Sequence, residues 1–143
     1  MMESFVIELA DEDATRQLGA SLAARFQKEA ALILLSGNLG AGKTTFAQGF
    51  INTLTSSPKP IASPSYSYCN IYETQPKTYH FDLYRLENPE EINNLGLREP
   101  LFNNEALRLV EWPERLPELT LFAKAIVHLE TTLPRKARVT YFS

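Results

Sequence analysis

The chain has 143 residues, 44% hydrophobic and 22% charged, with a net charge of −3. These are ordinary globular values, so disorder is not indicated and one domain, 1–143, with a real core is expected. The acidic balance argues against a broad basic surface for nucleic acid, and a single cysteine, Cys69, excludes an internal disulfide and a C-x-x-C zinc site.

No apolar run reaches membrane-spanning length, and the opening M-M-E-S-F-V-I-E-L-A lacks the pattern of a signal peptide. The expectation is a soluble cytoplasmic protein that engages no membrane. Ser4 to Leu9 is rich in β-formers and reads as a first strand. Asp11-Glu12-Asp13 then supplies a cap and first-turn negative charge for a helix, with Ala14, Leu18, Leu22 and Phe26 as its buried stripe.

Ala31 to Leu35 is an apolar run without polar alternation, as a buried central strand requires. It runs into Gly37-Asn38-Leu39-Gly40-Ala41-Gly42-Lys43-Thr44, which fits G-x-x-x-x-G-K-[ST]. Phe46, Phe50 and Leu54 follow at four-residue spacing and mark one face of a helix. Strand, glycine loop and helix together are the context that makes this pattern a phosphate site. Backbone amides converge on phosphate oxygens at a helix N-terminus, Lys43 reaches the β- and γ-phosphates, and the Thr44 hydroxyl ligates Mg²⁺.

Thr55 to Pro64 is the clearest loop, with three prolines. Tyr66 to Tyr72 and Thr78 to Leu86 read as two strands of an antiparallel hairpin around E-T-Q-P-K. Asn88-Pro89-Glu90-Glu91 reads as the start of a short helix, with Asn as cap and Pro at the first helical position. Ala106 to Trp112, Ala123 to Glu130 and Lys136 to Phe142 read as three more strands, with Pro113 and Pro117 bracketing a turn. The fold class is therefore α/β: a mixed sheet with a parallel core and antiparallel additions, flanked by helices.

A phosphate loop of this kind needs a carboxylate on a neighbouring strand. Glu111 ends an apolar run, where sheets deliver ligands, and Asp82 shares a strand face with His80 and Tyr84. Spacing alone does not choose between the two acids. His80 reads as structural, Trp112 as a packing residue, and Arg135-Lys136-Arg138 as a solvated cluster.

Five strings taken together are close to diagnostic: S-G-N-L-G-A-G-K-T-T, Ser63-Pro64-Ser65-Tyr66-Ser67, H-F-D-L-Y-R-L at His80 to Leu86, Glu90-Glu91 with Leu95-Gly96, and V-E-W-P-E at Val110 to Glu114. In this order they resemble the TsaE (YjeE) family, small bacterial P-loop ATPases required for threonylcarbamoyladenosine formation in tRNA. The resemblance implies a P-loop NTPase-like fold and ATP phosphates held by the loop residues Asn38, Leu39, Gly40, Ala41, Gly42, Lys43, Thr44 and Thr45. It implies Thr44 and Glu111 as Mg²⁺ ligands and Asp82 as the catalytic acid acting with Lys43. Ser63-Pro64-Ser65 resembles the family's first switch segment, and the resemblance implies that Glu12 and Ala137-Arg138 approach the adenine side.

TsaB and TsaD are the implied partners, with tRNA held mainly through them and slow hydrolysis by the isolated protein. Two positions depart from the family pattern: Asn38 stands where Asp is usual, and Ser65 where Thr is usual. The alternatives to an ATPase subunit are a P-loop small-molecule kinase and a nucleotide-gated binding module that scarcely hydrolyses.

Overall fold

The computed structural model describes residues 2–55, 60–64 and 66–143. β1 (Met2–Glu8) leads into α1 (Glu12–Phe26), where the Asp11 carboxylate accepts the Ala14 amide hydrogen at 2.8 Å. That contact satisfies one of the helix's unpaired N–H groups, and Glu12 and Asp13 supply the expected first-turn charge. β2 (Leu32–Gly37) and α2 (Lys43–Leu54) flank the glycine loop. β3 (Cys69–Tyr72) and β4 (Thr78–Asp82) pair as the expected antiparallel hairpin. Two single-turn helices follow, α3 (Glu91–Asn94) and α4 (Arg98–Leu101), and then β5 (Leu107–Glu111). Two 3₁₀ turns, Pro113–Arg115 and Pro117–Leu121, precede β6 (Ala125–Glu130) and β7 (Lys136–Phe142).

Among the described residues, seven strands form one sheet in the order β1-β7-β6-β2-β5-β4-β3. β6, β2, β5 and β4 run parallel, while β7, β1 and β3 join antiparallel. This is the mixed α/β architecture that the element order requires.

β2 sits at the centre, and Leu32 to Leu35 are wholly shielded from solvent. Its side chains alternate between two cores: Ile33 and Leu35 pack with α1 and α2, while Leu32 and Leu34 pack with residues of α3, α4 and the 3₁₀ turns. A core on each face is why the run carries no polar residue.

The helices α1 and α2 meet at two glycines. A methyl on Gly49 would lie 2.0 Å from the Arg16 carbonyl oxygen, and one on Gly19 would lie 2.2 Å from that of Phe46. The backbones therefore touch, which fixes where α2 begins relative to the sheet.

Several expected boundaries shift for local reasons. The strand expected from Tyr66 starts only at Cys69, because Tyr68 adopts a left-handed φ of 67° and its amide donates to the Pro64 carbonyl at 2.9 Å. The helix expected at Asn88 starts at Glu91, whose carboxylate accepts the amide hydrogens of Glu87 and Asn88, each at 2.8 Å. Asn88-Pro89 is thus the entry turn. α4 was not expected, and of the Ser63-Pro64-Ser65 segment, Ser65 lies outside the described residues.

Candidate nucleotide site

The carboxyl ends of β2, β4 and β5 converge on the glycine loop, because these strands run parallel and side by side. Gly42 takes a left-handed φ of 101° at the head of α2, a conformation that a side chain resists. Among the described residues no side chain caps this helix, and no acid stands in its first turn. Its leading N–H groups therefore retain the positive potential that favours an anion.

A cavity of about 900 Å³ opens over this helix head. Its floor is Gly40, Gly42, Lys43, Thr44 and Thr45. One wall carries Ser63, Asp82, Glu111 and Trp112, and the opposite side carries Leu9, Glu12, Thr15 and the Leu133–Arg135 turn.

Lys43 is buried, and its ammonium donates to the carbonyls of Gly37 and Asn38, the latter at 3.3 Å. It also lies 3.8 Å from the centroid of the Trp112 ring. Burial lowers its pKa from the ordinary lysine value, against the attraction of Glu111, Glu114 and Asp82. Among the described residues this cation, held on two carbonyls and an aromatic face, is paired with no carboxylate, so it is available to a phosphate.

Trp112 reaches this position through its backbone. β5 ends at Glu111 because Trp112 is left-handed, with φ of 59°, and turns the chain into the Pro113–Arg115 turn. A bulky residue in that region costs on the order of 1–3 kcal/mol. Such strain is commonest where a side chain must be aimed.

The acids stand side by side, since Asp82 and Glu111 are register partners on adjacent strands. Glu111 is 2% exposed, and its Oε2 accepts two hydrogen bonds: from Ser63 Oγ at 2.9 Å and from His80 Nε2 at 2.5 Å. Ser63 Oγ lies in turn 3.2 Å from the Thr44 hydroxyl. Asp82 Oδ1 accepts the Tyr84 amide hydrogen at 2.9 Å. Burial raises the Asp82 carboxyl above its usual range, opposed by that amide and reinforced by Glu111.

The sequence-derived residues divide by position. Glu12, Leu39, Gly40, Gly42, Lys43, Thr44, Thr45, Asp82 and Glu111 all line the cavity. Asn38 and Ala41 form the turn behind it, the Ala41 amide donating to the Asn38 carbonyl at 3.0 Å. Ala137 and Arg138 are not among the lining residues: Ala137 is buried in the sheet core, and Arg138 pairs in register with Val6 and His128. The turn just before them lines the cavity instead, and Arg135 donates to the Gly40 carbonyl at 3.3 Å. Arg135 is exposed, as the solvated reading expected, but that its turn lines the cavity was not legible because no local pattern ties it to a loop 95 residues earlier. Ser63 and Trp112 gain their places from chain turns that composition does not reveal.

A parallel-centred sheet with a glycine loop, an uncapped helix head carrying Lys43 and Thr44, and a facing pair of strand-end acids places the molecule in the P-loop class. The family model described as "Threonylcarbamoyl adenosine biosynthesis protein TsaE" matches residues 9–139. The chain belongs to the TsaE family. It is 41% identical to "tRNA threonylcarbamoyladenosine biosynthesis protein TsaE" of Rickettsia felis over 123 residues, 85% of this chain and 70% of the relative. It is 37% identical to the protein of the same name from a Nostoc species over 142 residues, 96% of this chain and 86% of that one. A crystal structure of Bacillus subtilis YdiB superposes with a TM-score of 0.70 at 25% identity, covering 99% of this chain and 86% of the other. None of the described helices is long and apolar enough to cross a membrane.

Proposed function

We propose that this protein binds ATP with Mg²⁺ and hydrolyses it in tRNA threonylcarbamoyladenosine biosynthesis. In this reading it works in the cytoplasm with TsaB and TsaD subunits that hold most of the tRNA. The observation that carries the reading is the juxtaposition, across one cavity, of a helix head bearing Lys43 and Thr44 with two buried carboxylates, Asp82 and Glu111.

The residues present fit a hard divalent ion. Thr44 and Glu111 offer oxygen donors, already joined through Ser63 by bonds of 3.2 and 2.9 Å. A triphosphate facing two carboxylates meets like charge, which a cation between them relieves. Among the described residues no group of three His, Cys, Asp or Glu side chains is placed to hold a metal. That suits Mg²⁺, which takes one or two protein ligands and completes its shell with water and phosphate. When bound, the ion supplies neutralisation of the phosphate charge that builds as the terminal bond breaks.

The chain's own groups do the rest. Loop amides and the head of α2 bind the β- and γ-phosphate oxygens, and Lys43 exchanges its carbonyl contacts for them. Asp82 accepts a hydrogen bond from the attacking water and orients it towards the γ-phosphate. A carboxyl whose pKa is raised by burial is a better acceptor for that proton than an exposed one. Catalysis of this kind is mostly positioning, so partners that complete the enclosure would raise the rate.

Trp112, the one tryptophan of the chain, lies against Lys43 and reports binding by its fluorescence. Titration with ATP and Mg²⁺ should show Lys43→Ala binding roughly ten- to a hundred-fold more weakly than wild type, the worth of a charged hydrogen bond. Asp82→Ala should keep its affinity and lose about 10²- to 10⁴-fold in hydrolysis with partners present. Equal affinity of wild type and Lys43→Ala, or undiminished turnover by Asp82→Ala, overturns the assignment.

A further inference from the structure

His80 lies behind the site, not in it. It is wholly buried on β4, on the same sheet face as Asp82, and is not among the residues lining the cavity. Its register partner on β5 is Leu109, two residues before Glu111, so the imidazole and the Glu111 side chain meet diagonally across one face. The polar contact this ring makes is Nε2 to Glu111 Oε2 at 2.5 Å; its Nδ1 is buried without a partner among the described residues.

A buried ring with one nitrogen unsatisfied carries a cost that a leucine at the same place would not. Packing alone is therefore a poor account of a histidine here. The geometry points to a positioning role: we propose that His80 holds the Glu111 carboxylate in the orientation that receives the divalent cation, without itself touching nucleotide or ion. The inference rests on the reading of Glu111 as a cation ligand.

Two observations give it content. Both hydrogen bonds to Glu111 fall on Oε2, so Oε1 takes neither and the carboxylate plane is pinned from one side. The two donors also differ in standing. Ser63 belongs to the connection between α2 and β3, whereas His80 sits on a parallel-paired interior strand. If Ser63 shifts when the cation arrives, His80 still fixes the carboxylate. Outer partners of this type fix a ligand's direction, and their loss commonly costs about ten- to a hundred-fold in metal affinity.

The test compares wild type, His80→Leu and His80→Gln. Leucine removes the donor while filling the space, and glutamine returns a side-chain N–H at similar reach. Affinity for a non-hydrolysable ATP analogue is measured by Trp112 fluorescence in excess MgCl₂ and again in EDTA, and Mn²⁺ binding is followed separately by electron paramagnetic resonance. His80→Leu should lose about ten-fold or more of the affinity that magnesium adds, with the EDTA value unchanged, and His80→Gln should recover most of it. Mn²⁺ affinity should fall in parallel. In a Glu111→Gln background the magnesium effect of His80→Leu should vanish, because the two act through one carboxylate.

A His80→Leu variant with the wild-type magnesium increment overturns the proposal. So does one that weakens binding equally in MgCl₂ and EDTA without rescue by glutamine, which marks a purely structural residue. Wild type showing no magnesium increment at all is a different failure: it removes the cation reading of Glu111 itself.

Discussion

Asp82 is a carboxylate in a place that resists its charge. It is 5% exposed, beside a second acid, and one amide hydrogen bond does not offset the burial. Its folded-state pKa lies above the unfolded value, so the unfolded chain releases that proton first. The group's contribution to stability is therefore full below the ordinary Asp range, about 3.9, and is lost as pH rises through the raised folded value. Asp82→Asn keeps the acceptor for the Tyr84 amide and removes the charge. Without nucleotide or metal it should melt higher than wild type at neutral pH, with the gap closing near about pH 4. Thermal melts across that range check it, and a variant melting no higher at neutral pH contradicts the sign. Stability lost to a charge the site needs is a common signature of function.

At the scale of elements, α1 and α2 are held at backbone distance by Gly19 and Gly49, and α2 carries Lys43 and Thr44 at its head. Alanine is the better helix former by about 1 kcal/mol. A methyl at Gly49, however, would sit 2.0 Å from the Arg16 carbonyl oxygen and 2.7 Å from its carbon, and backbone atoms cannot swing aside. Overpacking costs about 1–3 kcal/mol, so Gly49→Ala should lower the urea midpoint despite its propensity. Nucleotide affinity should fall with it, because α2 must shift away from α1. A neutral or stabilising result would mean that the helices separate freely.

The same elements show how much the sequence discloses. The stripe of α1 and the strand–loop–helix at β2 and α2 were legible because periodicity and the glycine pattern are local. The limits of β3 and α3 were not, because one left-handed residue, Tyr68, and one reaching carboxylate, Glu91, decide them. Glu111 and Asp82 were legible as candidates only. Their partnership depends on the parallel registers of β4 and β5, which no window of sequence displays.

Across the whole molecule, one sheet separates two cores, and the site lies at the carboxyl ends of its parallel strands. The opposite end of the parallel strands holds Arg108, which is 4% exposed on the second face. Its guanidinium donates to the carbonyls of Leu101 at 2.7 Å, Ala106 at 3.1 Å and Ala30 at 3.1 Å. It thus ties the end of α4, the approach to β5 and the approach to β2 into one knot. No local pattern in the sequence signals this role, since its acceptors lie as far as 78 positions away. Burial lowers its pKa, and the three carbonyls that accept from its planar fork carry the compensation. Arg108→Leu leaves those carbonyls without their donor and should cost about 1–3 kcal/mol. Arg108→Lys should recover little, since one ammonium cannot span three acceptors set for a fork. Urea denaturation checks both through a lowered midpoint with an unchanged slope. Because the knot lies at the far end of the strands from Lys43, the folded fraction of each variant should bind nucleotide as wild type does. A selective loss of binding with the midpoint intact would show the two ends of the sheet to be coupled, so that the part that holds the fold is not separate from the part that holds the ligand.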